Sequence, residues 1–116
     1  MELNAQLIDG IEVIALQGRF DVNVASTVRK RIDDITSKKP ALLVVNLEEV
    51  NFLDSTGLAT LVQGQKQAQA LNGKMNLCGL RQSVRIIFEL TRLDSFFEIF
   101  STEEEAVTAL VEMKLS

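Results

Sequence analysis

Asp54-Ser55-Thr56-Gly57 sets a carboxylate, two hydroxyls and a glycine side by side. A second acid at Asp21 would complete either an acid–base pair or a carboxylate metal site, if the fold brought it near. The rest of the chain supplies little for such chemistry. It contains no histidine, which excludes Ser-His-Asp and Cys-His catalysis and every His-ligated metal site. Its single cysteine, Cys78, forms no thiolate cluster and reads as buried packing at a strand end. No glycine-rich loop cradles a phosphate, and no lysine stands near the corner. The residue types therefore favour a binding module over an enzyme, with no metal and no cofactor.

The elements that must position this corner follow from the apolar pattern. Two apolar-rich runs, 3–8 and 11–17, flank Asp9-Gly10, a hairpin signal because both turn positions need positive φ. Val24, Val28, Ile32 and Ile35 line one face of a helix over 24–37, with Asn23 as its expected N-cap. Lys38-Lys39-Pro40 ends that helix. The run 41–47, Ala-Leu-Leu-Val-Val-Asn-Leu, is apolar on both alternating faces, as in a central strand covered by helices on both sides.

After the corner, Leu58, Leu61, Val62 and Ala68 predict a helix to about 71, closed by Asn72-Gly73. A strand at 74–78, a helix over 82–91 and a short strand at 97–100 follow. Ser101-Thr102-Glu103-Glu104-Glu105 opens a last helix with a capping box. The predicted order is β-β-α-β-α-β-α-β-α: an α/β domain with a mixed sheet of four to five strands and about four helices, all within 1–116. Leu43, Val45, Val13, Leu58, Val62 and Ile87 are expected in the core, with Ser55 at the surface.

Helix crossovers make the strands at 11–17, 42–47 and 74–78 parallel and right-handed. Loops after parallel strands gather at one sheet edge, so Gly18-Arg19-Phe20-Asp21 and Asn51-Phe52-Leu53-Asp54-Ser55 should meet there. Ser55 alone reads as an N-cap, and Asp54 before it favours the helix dipole. Gly57 is less easily dismissed, since glycine in a helix is unfavourable by roughly 0.5–1 kcal/mol. It implies a close approach by another backbone or molecule.

The stretch from Asn46 to Leu58, NLEEVNFLDSTGL, resembles the signature of the STAS domain of bacterial anti-sigma-factor antagonists. Gly18-Arg19-Phe20-Asp21 is similar to that family's glycine-x-x-aspartate segment, and Gly73 to Leu80 to its fourth-strand region. The resemblance implies that Ser55 is phosphorylated by a partner serine kinase, which is itself the anti-sigma factor. Asp21, Asp54, Thr56 and Gly57 would lie in or beside the docking surface, and a phosphatase would reset the switch. Phe20 and Val22-Asn23-Val24 make the partner-facing loop more apolar than is usual for the family. A scaffold or adaptor STAS subunit that is never phosphorylated is the alternative reading.

Net charge of −4 and a sequence pI near 4.8 argue against direct nucleic-acid binding. Arg29-Lys30-Arg31 is followed by Asp33-Asp34 and reads as a solvated helix face. The sequence has no signal-like start and no apolar run long enough to span a membrane, so a cytoplasmic location is expected.

Overall fold

The computed structural model describes residues 2–115. Its elements run β1 (Glu2–Ile8), β2 (Ile11–Phe20), α1 (Ala25–Thr36), β3 (Leu42–Leu53), α2 (Ser55–Ala70), β4 (Lys74–Cys78), α3 (Gln82–Leu90), β5 (Ile99–Phe100) and α4 (Glu103–Leu115). One short 3-10 turn, Leu93–Ser95, precedes β5. The predicted element order is the observed one.

The hairpin forms as the Asp-Gly dipeptide dictates, with Asp9 at φ 54° and Gly10 at φ 80° between the paired residues Ile8 and Ile11. β1 is thus antiparallel to β2, whereas β2, β3, β4 and β5 are mutually parallel, in the order β1-β2-β3-β4-β5. Each helical crossover advances by one strand in the same direction. The helices α1, α2 and α3 accordingly pack on the same face of the sheet.

β3 divides its side chains between two cores. Leu43, Val45 and Leu47 pack with Val28 and Ile32 of α1, Leu61 of α2, and Val84 and Phe88 of α3. Leu42 and Val44 face the other way, onto Ala106, Val107 and Leu110 of α4. This two-sided burial is why the central strand reads as an unbroken apolar run. The capping box of α4 is complete: Thr102 Oγ1 accepts from the Glu105 N–H, and Glu105 Oε1 accepts from the Thr102 N–H, each at 3.2 Å.

Four expectations need correction. β2 and β3 extend to Phe20 and Leu53, so Gly18-Arg19-Phe20 and Asn51-Phe52-Leu53 are strand rather than loop. The pairs Ala15↔Asn46 and Gln17↔Glu49, then Gly18↔Val50 and Arg19↔Phe52, show β3 carrying one extra residue at each of two bulges. Bulges break the period of two, which hid the strand's second half. The cap of α1 is Val24, with no side-chain bond, in place of Asn23. The cap of α2 is Asp54 in place of Ser55.

The inner stripe of α2 also differs from the expected one. Leu58 and Val62, with Ile87 of α3, are only partly buried against the core. Gly57, Leu61, Gly64 and Ala68 turn fully inward instead. Gly64 lies so near Ile32 and Met75 that an added Cβ would stand 3.1 and 3.2 Å from their side chains. Small residues on the inner face bring the helix close, with Leu61 as its one large inward aliphatic and Leu58 and Val62 on the flanks.

Cys78 is fully buried beside α4. Burial first, then the charges of Glu103 and Glu48, push its thiol up to about 12. The unfolded chain releases this proton near the ordinary value of 9.0, well before the folded chain does. Stability contributed by this site is therefore lost as pH rises from about 9 towards 12. Denaturant midpoints measured across that range should fall with pH, and Cys78→Ala should flatten the slope. The native thiol should resist a thiol-reactive dye that labels the unfolded protein at once.

Candidate functional site

The corner is made where β3 passes directly into α2. Asp54 has extended backbone, φ −98° and ψ −178°, and its N–H donates to the carbonyl of Phe20 at 3.3 Å. That bond continues the β2–β3 ladder one residue past Leu53 and fixes where the helix begins. The next residue, Ser55, is already helical.

The Asp54 carboxylate spans two elements. Oδ1 accepts from the Gly57 N–H at 2.9 Å, capping α2, and Oδ2 accepts from the Val22 N–H at 3.1 Å, pinning the β2–α1 loop. Residues 32 apart in sequence are thereby held together. Charge-assisted bonds of this kind are about twice as strong as neutral ones.

Gly57 is buried beneath this junction. A Cβ there would lie 2.5 Å from the Phe20 carbonyl oxygen and 2.8 Å from Leu53 Cδ1. The close approach implied by an early-helix glycine is therefore to the protein's own second strand. Phe20 is itself fully buried and forms the floor of the corner.

Asp21 arrives at the same edge from β2. Its Oδ1 accepts from the Asn23 N–H at 3.0 Å, and Oδ2 lies 3.6 Å from Arg19 Nε. Its carbonyl receives the N–H groups of Val24 and Ala25 at 3.1 and 3.0 Å, starting α1 without a side-chain cap. Only 16% of the Asp21 side chain is exposed, so it shapes its loop more than it offers surface. The Arg19 guanidinium also lies 3.9 Å above the Phe52 ring, its cross-strand partner.

The surface presented by this scaffold is mixed. Ser55 is exposed and Thr56 is half-buried. Val22 is 65% exposed, a conspicuous value for an aliphatic side chain, and Phe52 contributes an exposed ring. Sequence reasoning brought Asp21, Asp54, Ser55, Thr56 and Gly57 to one edge, and the structure places all five there. It missed Arg19 and Phe52 as a stacked pair, because their alignment depends on the second bulge. Further along the same edge, Arg81 clamps the first bulge, donating from Nε to the Glu48 carbonyl at 2.8 Å. Among the described residues no cluster of acids or cysteine is arranged to hold a metal ion, and no helix is long and apolar enough to cross a membrane.

A parallel sheet with one antiparallel edge strand and this order of helices has a counterpart among known families. The sequence model of the STAS domain matches residues 2–106. The chain belongs to the STAS domain family. This STAS domain is 29% identical over 105 residues to the anti-sigma-B factor antagonist of Listeria monocytogenes, covering 90% of this chain and 91% of that one. It superposes on an anti-sigma factor antagonist from Mycobacterium paratuberculosis with TM-score 0.85 and 27% identity, covering 94% of this chain and 92% of that one. In fold it also matches the Bacillus cell fate determinant SpoIIAA in its phosphorylated form, with TM-score 0.75, 23% identity and coverage of 93% and 98%.

The geometry of this STAS corner separates the capping carboxylate from an exposed hydroxyl one residue away. Asp54→Ala should cost about 1–3 kcal/mol in chemical denaturation, a cap plus the pin on Val22. Ser55→Ala should stay within about 0.5 kcal/mol of the parent, since no cap is lost at an exposed first-turn position. Gly57→Ala should be destabilising by about 1–3 kcal/mol through overpacking against Phe20.

Proposed function

We propose that this STAS domain is an anti-sigma-factor antagonist that binds an anti-sigma-factor serine kinase when unphosphorylated and is switched off by phosphorylation at Ser55. The observation that carries this reading is the division of labour at the corner: Asp54 caps the helix, which leaves the Ser55 hydroxyl exposed with no structural task. The relatives named as anti-sigma-factor antagonists support the partner class. The greater exposure of Ser55 over Thr56 supports Ser55 as the acceptor.

Each element of the corner has a part in docking. Val22 and Phe52, both exposed at the same edge, offer apolar contact. Asp21 and Asp54 hold the loop that carries Val22, while Thr56 borders the contact and Gly57 supports it from beneath. Neither acid is set up for acid–base catalysis: both Asp54 oxygens accept backbone N–H groups, and those of Asp21 face Asn23 N–H and Arg19. The domain is thus read as a non-catalytic, cytoplasmic protein ligand.

A single phosphate suffices for the switch. It adds about −1.5 to −2 charges at pH 7. At about 6 Å from a partner carboxylate, with an effective dielectric of 20–80, the repulsion is on the order of 1–5 kcal/mol. That corresponds to roughly a fivefold to several-thousandfold loss of affinity. The positive end of the α2 dipole accommodates the added charge, so the domain stays folded. Removal by a phosphatase restores binding.

The test compares Ser55→Ala with Ser55→Asp. Both should melt close to the parent, because an acid in the first helical turn is favourable by about 0.3–1 kcal/mol. In titration calorimetry against the kinase, Ser55→Ala should bind like the parent and Ser55→Asp about threefold to a hundredfold more weakly. The kinase should add one phosphate to the parent and none to Ser55→Ala. Phosphate mapping to Thr56 would overturn the assignment.

A further inference from the structure

β1 is an edge strand with its outer side open. It is seven residues long, pairs with β2 in unbroken register from Glu2↔Gln17 to Ile8↔Ile11, and is exposed at all but Leu3 and Ile8. Edge strands usually carry a lysine, a proline, a bulge or short length to prevent further pairing. β1 has none of these, and Glu2 is its single charge. On the side facing α1 it shows Leu3, Ala5 and Leu7 in alternation, with Leu7 65% exposed. Glu12, opposite Leu7, has its charge directed to Lys38 at 3.7 Å.

We infer that β1 pairs edge to edge with β1 of a second copy of this chain, antiparallel about a two-fold axis at Ala5. The strand is self-complementary in that register. Leu3 meets Leu7 of the second copy on one face, Asn4 meets Gln6 on the other, and Ala5 meets itself. Glu2 lies opposite Ile8, so the two Glu2 side chains stand roughly 20 Å apart, beyond the screening length at physiological salt. Centring the axis on Asn4 or Gln6 pairs fewer residues of β1, and on Gln6 it sets Leu3 opposite Asp9. Centred on Ala5, it joins two five-stranded sheets into one of ten. β2 runs antiparallel to β1, so the two Ser55 corners point to opposite ends of the dimer and both remain open.

Sedimentation of the full chain from micromolar to millimolar concentration should show a reversible dimer, favoured by added salt because each copy carries a net charge of −4. Leu7→Lys, which sets a charge against Leu3 of the second copy, should raise the dissociation constant at least tenfold without altering kinase binding. Ala5→Cys tests the register directly. At the axis the two Cα atoms lie about 4.5–5.5 Å apart, within disulfide range, so mild oxidation should give a covalent dimer. Leu7→Cys, equally exposed but roughly 14 Å from its copy in this register, should not cross-link. Buried Cys78 leaves the background low. A monomer at every concentration, a dimer indifferent to Leu7→Lys, or equal cross-linking of the two cysteine variants overturns the inference. Should Leu7→Lys fail to fold, the cysteine pair decides alone.

Discussion

The corner depends on one carboxylate reaching two backbone amides. Asp54 joins the first turn of α2 to the β2–α1 loop, and its own N–H is held by Phe20. Neither amide has another partner of comparable strength: Gly57 N–H is one of the orphan donors of a helix start, and Val22 N–H belongs to a loop outside the sheet. The buried carbonyl of Phe20 serves both sides of this junction. It receives Asp54 N–H and rests against Gly57, where any side chain would displace it. Position, cap and close approach are three consequences of a single contact between β2 and α2.

This arrangement bears on the proposed switch. A serine that capped its own helix would lose that bond when modified, and each phosphorylation would unsettle the fold. With the cap at Asp54, the hydroxyl of Ser55 stays exposed, and the positive dipole end of α2 would favour a phosphate placed there. The apolar flank of Val22 and Phe52 is held in place by the same network, through Asp54 on one side and Arg19 on the other. In the proposed switch, recognition and modification would share a surface and draw on separate bonds.

The remainder of the molecule keeps that surface rigid. Crossovers of one hand stack α1, α2 and α3 on one side of the sheet, and α4 covers the other. Both bulges of β3 lie in its second half, beyond the part sandwiched on both faces, and Arg81 ties the first of them to the β4–α3 connection. The working edge is thus bent and braced by hydrogen bonds, while the opposite end of the sheet is held by apolar packing. β1, attached through one side only, is the longer of the two edge strands.

Much of this was legible in the residues alone. The Asp9-Gly10 hairpin, the two-sided apolar run of β3, the Asn72 terminus of α2 and the Thr102–Glu105 box are local signals, each enforced by neighbours within a few residues. The gathering of Asp21 and Asp54 at one edge followed from the rule that parallel strands need crossovers. The identity of the α2 cap was different. Aspartate and serine cap about equally well, so types 54 and 55 cannot choose between them, and the choice falls to a ladder bond from Phe20, far away in sequence. The bulges of β3 and the small-residue inner face of α2 were likewise settled by packing: an extra residue cancels the alternation that marks a strand, and a glycine facing a core has no hydrophobicity by which to be recognised. The sequence by itself determined the elements and their order; which atoms of the corner hold the backbone, and which are left exposed, was decided only when β2 came to rest beside α2.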